Sequence, residues 1–296
     1  MKKIFPIFVA MVLFISACQL GKSGPEAIGI PTANATLTAV APVESDANAE
    51  AGSTRVSPAD GMIDVFVPAG VFTMGGVDAR ASENEKPIHQ VSMPGFWIDK
   101  VEVTNAMYAL CATAGACRLP QEFRSDSRDK YYGDAQYADY PVVYVTWLQA
   151  KTYCEWAGRR LPTEAEWERA ARGDDTRVYP WGDQIPDATR ANFSNLVGDT
   201  ASVGNSTAGI SPFGVLDMSG NVAEWTETLD RVFSRDHPYR DDDDRNREDA
   251  TGRRVVRGGS WYSASTAILY LPYRETFQPE VSAPYLGFRI VAKPLP

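Results

Sequence analysis

The chain has 296 residues, 44% hydrophobic and 23% charged, a globular composition long enough to bury one large core or two modest ones. A formal charge of −9 argues against a nucleic-acid surface, which needs clustered Lys and Arg, and leaves nucleic acid out of the expected partners. The 23 Gly, 20 Pro, 7 Trp and 13 Tyr predict many turns and packed aromatics with few long helices.

At the start of the chain Lys2 and Lys3 precede an apolar stretch, residues 4–14, which is too short to span a bilayer as a helix. Ile15-Ser16-Ala17-Cys18 closes it, and small residues before a Cys here resemble the lipobox of bacterial lipoproteins. That resemblance implies a signal peptide over residues 1–17 and acylation of Cys18. The protein would then be exported and anchored by lipid to the cell envelope, on the outer face of the cytoplasmic membrane or on the outer membrane. The alternative is an ordinary signal peptide with an incidental Cys. Residues 18–58, rich in Ala, Gly, Pro, Ser and Thr, read as a disordered tether, and residues 59–296 as the folded domain.

Folding is expected to begin with strands at residues 62–67 and 71–74 around the turn Pro68-Ala69-Gly70. Residues 95–103 alternate as a strand, and Thr104 caps a helix that runs to Ala114 with Tyr108 and Cys111 near one face. Cys111 and Cys117 flank its stop at Gly115. In an exported chain they read as a local disulfide, with free thiols as the alternative and metal binding less favoured, since neither histidine is nearby. An apolar run at residues 139–145 leads to Thr146, the cap of a helix over 147–157 that buries Ala150, Tyr153, Cys154 and Ala157. Thr163 and Glu166 form a capping box for a third helix ending near Arg172.

Residues 257–273, RGGSWYSASTAILYLPY, contain no Cys, His, Asp, Glu or Lys and no Arg after the first position. They offer no thiolate, no general acid or base near neutral pH and no strong metal ligand, so a function placed here must rest on shape, hydroxyls and aromatic faces. In DMSGNVAEW, residues 217–225, Asp217, Asn221 and Glu224 gather hard oxygen donors around Gly220. This fits either a calcium loop or an Asx-turn before a strand. The insert at 230–254, with its acidic run at 241–244, lacks the Gly and terminal Glu of an EF-hand and reads as a solvated loop. His89 reads as a polar surface residue, and no GxSxG elbow or P-loop occurs.

The succession RLPTEAEWERAARG (160–173), YPWGD (179–183), ANFSN (191–195), FGVLDMSGNVAEWT (213–226), VVRGGSW (255–261) and LGFRIV (286–291) resembles the formylglycine-generating enzyme, or sulfatase-modifying factor, family. The resemblance spans about residues 62–292. It implies an α+β, irregular C-type lectin-like fold with little regular secondary structure and structural Ca2+. The calcium ligands would be the side chains of Asp217 and Glu224 and the carbonyls of Gly220 and Val222. A second set would fall on Asn192, Phe193, Asn195 and Val197, where this chain is shortened. The family's two copper-binding cysteines align with Ser263 and Ile268, neither of which can replace a soft thiolate pair, so no copper and no formylglycine-generating activity are expected. Related enzymes hold iron with three histidines, and this chain has two histidines. Arg274 and Arg289 would lie beside the pocket. The expected function is a non-catalytic site lined by Trp261, Tyr262, Ser263, Ser265, Tyr270 and Tyr273 that binds a peptide, glycan or protein partner. The alternatives are an oxidative enzyme of altered chemistry, with Glu275 or Glu280 as its carboxylate, and an envelope scaffold.

Overall fold

A computed structural model describes residues 49–76, 80–231, 244–246 and 251–293. The expected signal peptide, Cys18, most of the tether and residues 241–243 of the acidic run lie outside the described residues. The elements in order are β1 (Thr54–Val56), β2 (Ile63–Val67), β3 (Gly70–Met74), β4 (His89–Met93), β5 (Phe96–Asp99), α1 (Asn105–Thr113), α2 (Trp147–Trp156) and α3 (Glu164–Arg172). They continue with β6 (Ala223–Leu229), β7 (Arg254–Arg257), β8 (Glu275–Phe277), β9 (Leu286–Gly287) and β10 (Val291–Ala292). Short strands, three short helices and long irregular connections make the α+β architecture implied by the Gly, Pro and aromatic content.

Among the described residues three small sheets result, ordered β1-β2-β5-β10, β3-β4 and β8-β7-β6-β9, with only β6 and β9 pairing in parallel. The two strands expected around Pro68-Ala69-Gly70 do not pair with each other. Asp64 through Val67 are buried, and β2 takes β1 on one edge and β5 on the other. Ordered structure also begins earlier than residue 59. Thr54 pairs with Val65, and the Gly52 amide donates to the Phe66 carbonyl at 3.0 Å, so the last residues of the expected tether belong to the sheet. Residues 139–145 do not form a strand. Tyr144 sits at φ 56°, which breaks an extended run, and the segment is tied by Val142 N to Val103 O and by Tyr144 N to Ala283 O.

All three helices start where their caps place them. Thr104, Thr146 and Thr163 each accept a hydrogen bond from the amide three residues on, and Gln149 and Glu166 complete capping boxes. Cys111 and Cys117 form a disulfide just beyond α1. One apolar cluster joins β2 to β5 with Trp167, Ala170 and Ala171 of α3. A second joins α1 and α2 to β6 through Tyr108, Tyr153, Trp147, Trp225 and Phe288. The Tyr108 and Tyr153 rings stack there at 5.6 Å between centroids.

Helix α3, EAEWERAAR, is charged at five positions and buried along its whole length. Each carboxylate meets an arginine. Arg274 donates to Glu164 at 2.7 and 3.1 Å, Arg160 to Glu166 at 2.7 and 2.5 Å, and both Arg257 and Arg172 reach Glu168, Arg172 at 2.9 Å. Burial alone would raise the Glu166 carboxyl, and Arg160 with the Thr163 amide and hydroxyl holds it below the usual range instead. Removing one partner of such a pair strands a buried charge and costs about 3–5 kcal/mol.

Candidate functional site

Strand β7 delivers the chain into Gly258 and Gly259 and then into the segment that carries most of the expected ligand-binding residues. Trp261 is buried, with its indole donating to Pro284 O at 3.3 Å. Ser263 is buried as well, and its hydroxyl accepts from the Ser260 amide at 2.9 Å. Ser265 is exposed and caps the turn Thr266–Leu269 through the Ala267 amide. Ile268 packs over Gly259, where an added Cβ would lie 3.0 Å from Ile268 Cγ2. Tyr270 is buried, Tyr273 is half-buried, and Tyr262 is 60% exposed.

Two expected binding residues are used differently. Arg289 is completely buried, donating to Glu224 at 2.7 Å through both Nε and Nη2 and to the carbonyls of Asp99 and Leu216. Arg274 is buried against Glu164 and the carbonyls of Asn84 and Arg231. Both guanidiniums are consumed by the scaffold, because a charge this far from water needs a fixed partner.

The residues assigned to two separate calcium sites lie side by side. Gly220, at φ 89°, has room only for hydrogen toward the Asn192 carbonyl, since a Cβ would approach that oxygen to 2.5 Å. Asn221 bridges the two loops: its amide donates to Asn192 O at 2.8 Å and its Nδ2 to Glu102 Oε1 at 3.1 Å, and its Oδ1 accepts from the Ala201 amide at 2.9 Å. Glu224 is closed by Arg289 and by the Trp167 indole at 2.8 Å, and Val222 is buried in the core. Phe193 is buried with its carbonyl accepting from the Leu196 amide, while Asn195 and Val197 are exposed. Asp217 accepts from the Gly204 amide.

Facing this group is Glu102, fully buried, with no protein partner for Oε2. Burial, and after it the Asp217 charge, pushes its carboxyl well above the usual range, while Arg289 opposes. Asp217 is raised too, again by burial, against the pull of the Gly204 amide and Arg289. Asn192 Oδ1 is likewise buried without a partner. Among the described residues no three His, Cys, Asp or Glu side chains converge on one cation position. Unpartnered buried oxygens of the kind a hard cation uses are Glu102 Oε2 and Asn192 Oδ1, near Asp217, whereas the Glu224 carboxylate is already bonded to Arg289 and the Trp167 indole. Glu102 was legible only as an acid between Val101 and Val103, where a strand reading gives it no task. Asp199, also missed, is held below the usual range: burial would raise it, and Ser125, Ser127 and Thr200 more than offset that.

Cys154, on α2, is the described cysteine outside the disulfide. It lines a small pocket with Trp147, Arg159 and Leu161. Burial first, then the Asp99 charge, raises its thiol well above the ordinary value, so it is held as a neutral thiol.

The surface near Tyr262 has a member that sequence reasoning did not name. Tyr285 stacks on Tyr262 at 5.9 Å with 13° between planes, and Trp261 meets Tyr262 edge-on at 5.5 Å. Glu275 lies half-buried on β8, its carboxyl raised by burial against the nearby charge of Arg253, and its charge reaches Tyr273 and Tyr285. Glu280 is exposed.

The sequence over residues 48–294 matches the sulfatase-modifying factor enzyme 1-like domain, and the chain belongs to that family. Hercynine oxygenase of Mycolicibacterium smegmatis is 33% identical over 76% of this chain and 60% of its own length. Formylglycine-generating enzyme of Bos taurus is 28% identical, over 86% of this chain and 80% of its own. The chain spans between half and three fifths of the hercynine oxygenases it matches. Among solved structures, PvdO from Pseudomonas aeruginosa superposes with a TM-score of 0.69 at 26% identity, covering 82% of this chain and 98% of PvdO. Variable protein 1 of Treponema denticola shares the fold, with a TM-score of 0.67 at 21% identity.

Proposed function

We propose that this protein is an exported, lipid-anchored binding domain in which the family's oxidative site has been replaced by an aromatic recognition surface. The observation that carries this reading is the state of Ser263 and Ile268, the positions that correspond to the copper-binding cysteines. The hydroxyl of Ser263 accepts from the Ser260 amide, and Ile268, whose side chain is hydrocarbon alone, packs its Cγ2 and its carbonyl against Gly259. The free thiol of Cys154 belongs to α2 and is held neutral. With two histidines in the chain, a three-histidine iron site is also out of reach. Tyr262, Tyr285 and Tyr273 supply ring faces and hydroxyls for a peptide, glycan or protein partner. Calcium, held by Glu102, Asp217 and adjacent oxygens, would neutralise buried carboxylates and fix the loops beneath that surface.

Purified protein incubated with Cu(I) and a Cys-x-Pro-x-Arg peptide is expected to leave the cysteine unchanged by mass. Aldehyde formation on repeated turnover would overturn the reading. Labelled fatty acid is expected to enter the wild-type chain in bacterial cells and to be lost in Cys18→Ala. A second reading, an oxidative enzyme of altered chemistry, draws support from the named activities of the relatives and from Glu275, a half-buried carboxyl of raised pKa beside tyrosines.

A further inference from the structure

Three segments that are distant in the chain meet around Tyr262, and none of them carries a charge. Residues 191–198, 258–273 and 281–288 contain no Asp, Glu, Lys, Arg or His. The Ser194 amide donates to Ser263 O at 3.0 Å and the Asn195 amide to Trp261 O at 2.8 Å. The Trp261 indole donates to Pro284 O, and Tyr262 stacks on Tyr285. The exposed positions, residues 194–197, 262 and 264–267, hold Ser, Thr, Asn, Ala, Leu, Val and Tyr. Charged side chains ordinarily cover exposed surface, and 23% of this chain is charged, so an exposed face without any calls for an account other than solubility. The charges that bound these segments in sequence are spent elsewhere: Asp199, Arg257, Arg274 and Arg289 are buried in ion pairs, and Arg190 pairs with Asp187. Glu280 is exposed on the turn whose Pro279 carbonyl accepts from the Trp147 amide at the start of α2, and Glu275 belongs to β8, the opposite edge of the sheet from β9.

An ion brought to this face would lose water and gain no opposite charge, whereas a neutral ligand loses less. The polar groups present are neutral and unspent. The side chains of Ser194, Asn195 and Thr266 make no hydrogen bond among the described residues, and Ser265, which accepts from the Ala267 amide, keeps its hydroxyl proton to donate. Hydroxyls and an amide on the segments that flank an open aromatic ring match the two surfaces of a pyranose, its hydroxyl edge and its apolar C–H face. An aliphatic peptide side chain would cover the ring and exposed Leu196 and Val197, and would leave those polar groups under a dry contact without partners. The platform is also formed in advance: Ser194 and Asn195 sit at φ 49° and 56°, tied by their amides to the 261–263 backbone, and Trp261 braces Tyr262 edge-on.

We propose that the face around Tyr262 binds an uncharged saccharide, with a pyranose ring stacked on Tyr262 and its hydroxyls bonded by Asn195, Ser265 and Thr266. This deepens the reading of the domain as a binding module and rests on it. The full chain is titrated with cellotriose, maltotriose and triacetylchitotriose, and with two charged trisaccharides, chitotriose in its ammonium form and trigalacturonate, each followed by saturation-transfer NMR. At least one neutral sugar is expected to bind about tenfold or more tightly than either charged one. Tyr262→Ala should weaken that binding about 2- to 12-fold, and Tyr262→Phe, which keeps the ring, should restore most of it; both variants should keep the wild-type melting temperature. A charged trisaccharide that binds as tightly as the best neutral one, or neutral binding that Tyr262→Ala leaves unchanged, overturns the proposal. If no trisaccharide binds, a peptide array separates the two readings. A peptide whose capture is lost in Tyr262→Ala overturns the saccharide and leaves the binding module standing, whereas no Tyr262-dependent ligand of either kind overturns both.

Discussion

Helix α3 and edge strand β8 both draw carboxylates away from water, and they treat them in opposite ways. On α3 Glu164, Glu166 and Glu168 are buried and each meets an arginine: Glu164 and Glu168 are locked to Arg274 and Arg257 from the C-terminal part of the chain, Glu166 to Arg160 just ahead of the helix. On edge strand β8 the Glu275 side chain is only half-buried and has no such partner among the described residues. Paired charges at the centre specify which segments meet, since a wrong pairing would leave an ion stranded. A carboxylate at the edge without that lock is poorly explained by stability, and that makes it the better candidate for a functional role.

The largest test of this contrast is Glu164→Ala. It leaves Arg274 buried without its carboxylate, and about 3–5 kcal/mol of unfolding free energy should be lost in a denaturant titration. A loss under about 1 kcal/mol would mean that the buried pairs are not what joins α3 to the C-terminal segment. Glu102 gives an intermediate case, fully buried like α3 and unpartnered at Oε2 like Glu275. If calcium is its missing partner, adding the metal to chelator-treated protein at a hundred times its dissociation constant should stabilise by about 2.7 kcal/mol. The gain should vanish in Glu102→Gln and in Asp217→Asn, and Glu224→Gln tests the exclusion of that residue by losing stability through Arg289 while keeping the calcium response.

The smallest effects belong to the surface. The folded-state carboxyl of Glu275 is raised, so its contribution is present below the ordinary carboxylate range and is lost as the pH rises through the raised value. Glu275→Gln should therefore match wild type at low pH and equal or exceed it by up to about 0.5 kcal/mol at neutral pH. Tyr262→Ala should lie within about 0.5 kcal/mol at every pH, as expected for an exposed ring. Thermal unfolding across pH checks both, and a marked loss at neutral pH in either variant would return these residues to the scaffold.

Much of the local structure was legible in the sequence because its causes are local. Thr104, Thr146 and Thr163 marked helix starts by capping chemistry that acts over three residues, and Cys111 and Cys117 lay close enough to pair. Sheet partners were not legible. The choice of β5 for β2 depends on contacts between segments remote in sequence, and residues 54–56, though close to β2 in the chain, form a strand too short to show a pattern of its own. The site divided in the same way: the absence of thiols and imidazoles from residues 257–273 is a fact of composition, while Tyr285 comes from a different segment and stacks on Tyr262 only through the fold.

By itself, then, the sequence determined the family through ordered motifs, the starts of the helices through their caps, and the absence of Cys and His from residues 257–273. Only the tertiary structure decided that Arg274 and Arg289 serve the scaffold, that Glu102 joins Asp217, and that Glu275 is left without a partner. Residue type settles which groups a chain can offer, but burial and pairing settle which remain available, and those are properties of distant segments brought together.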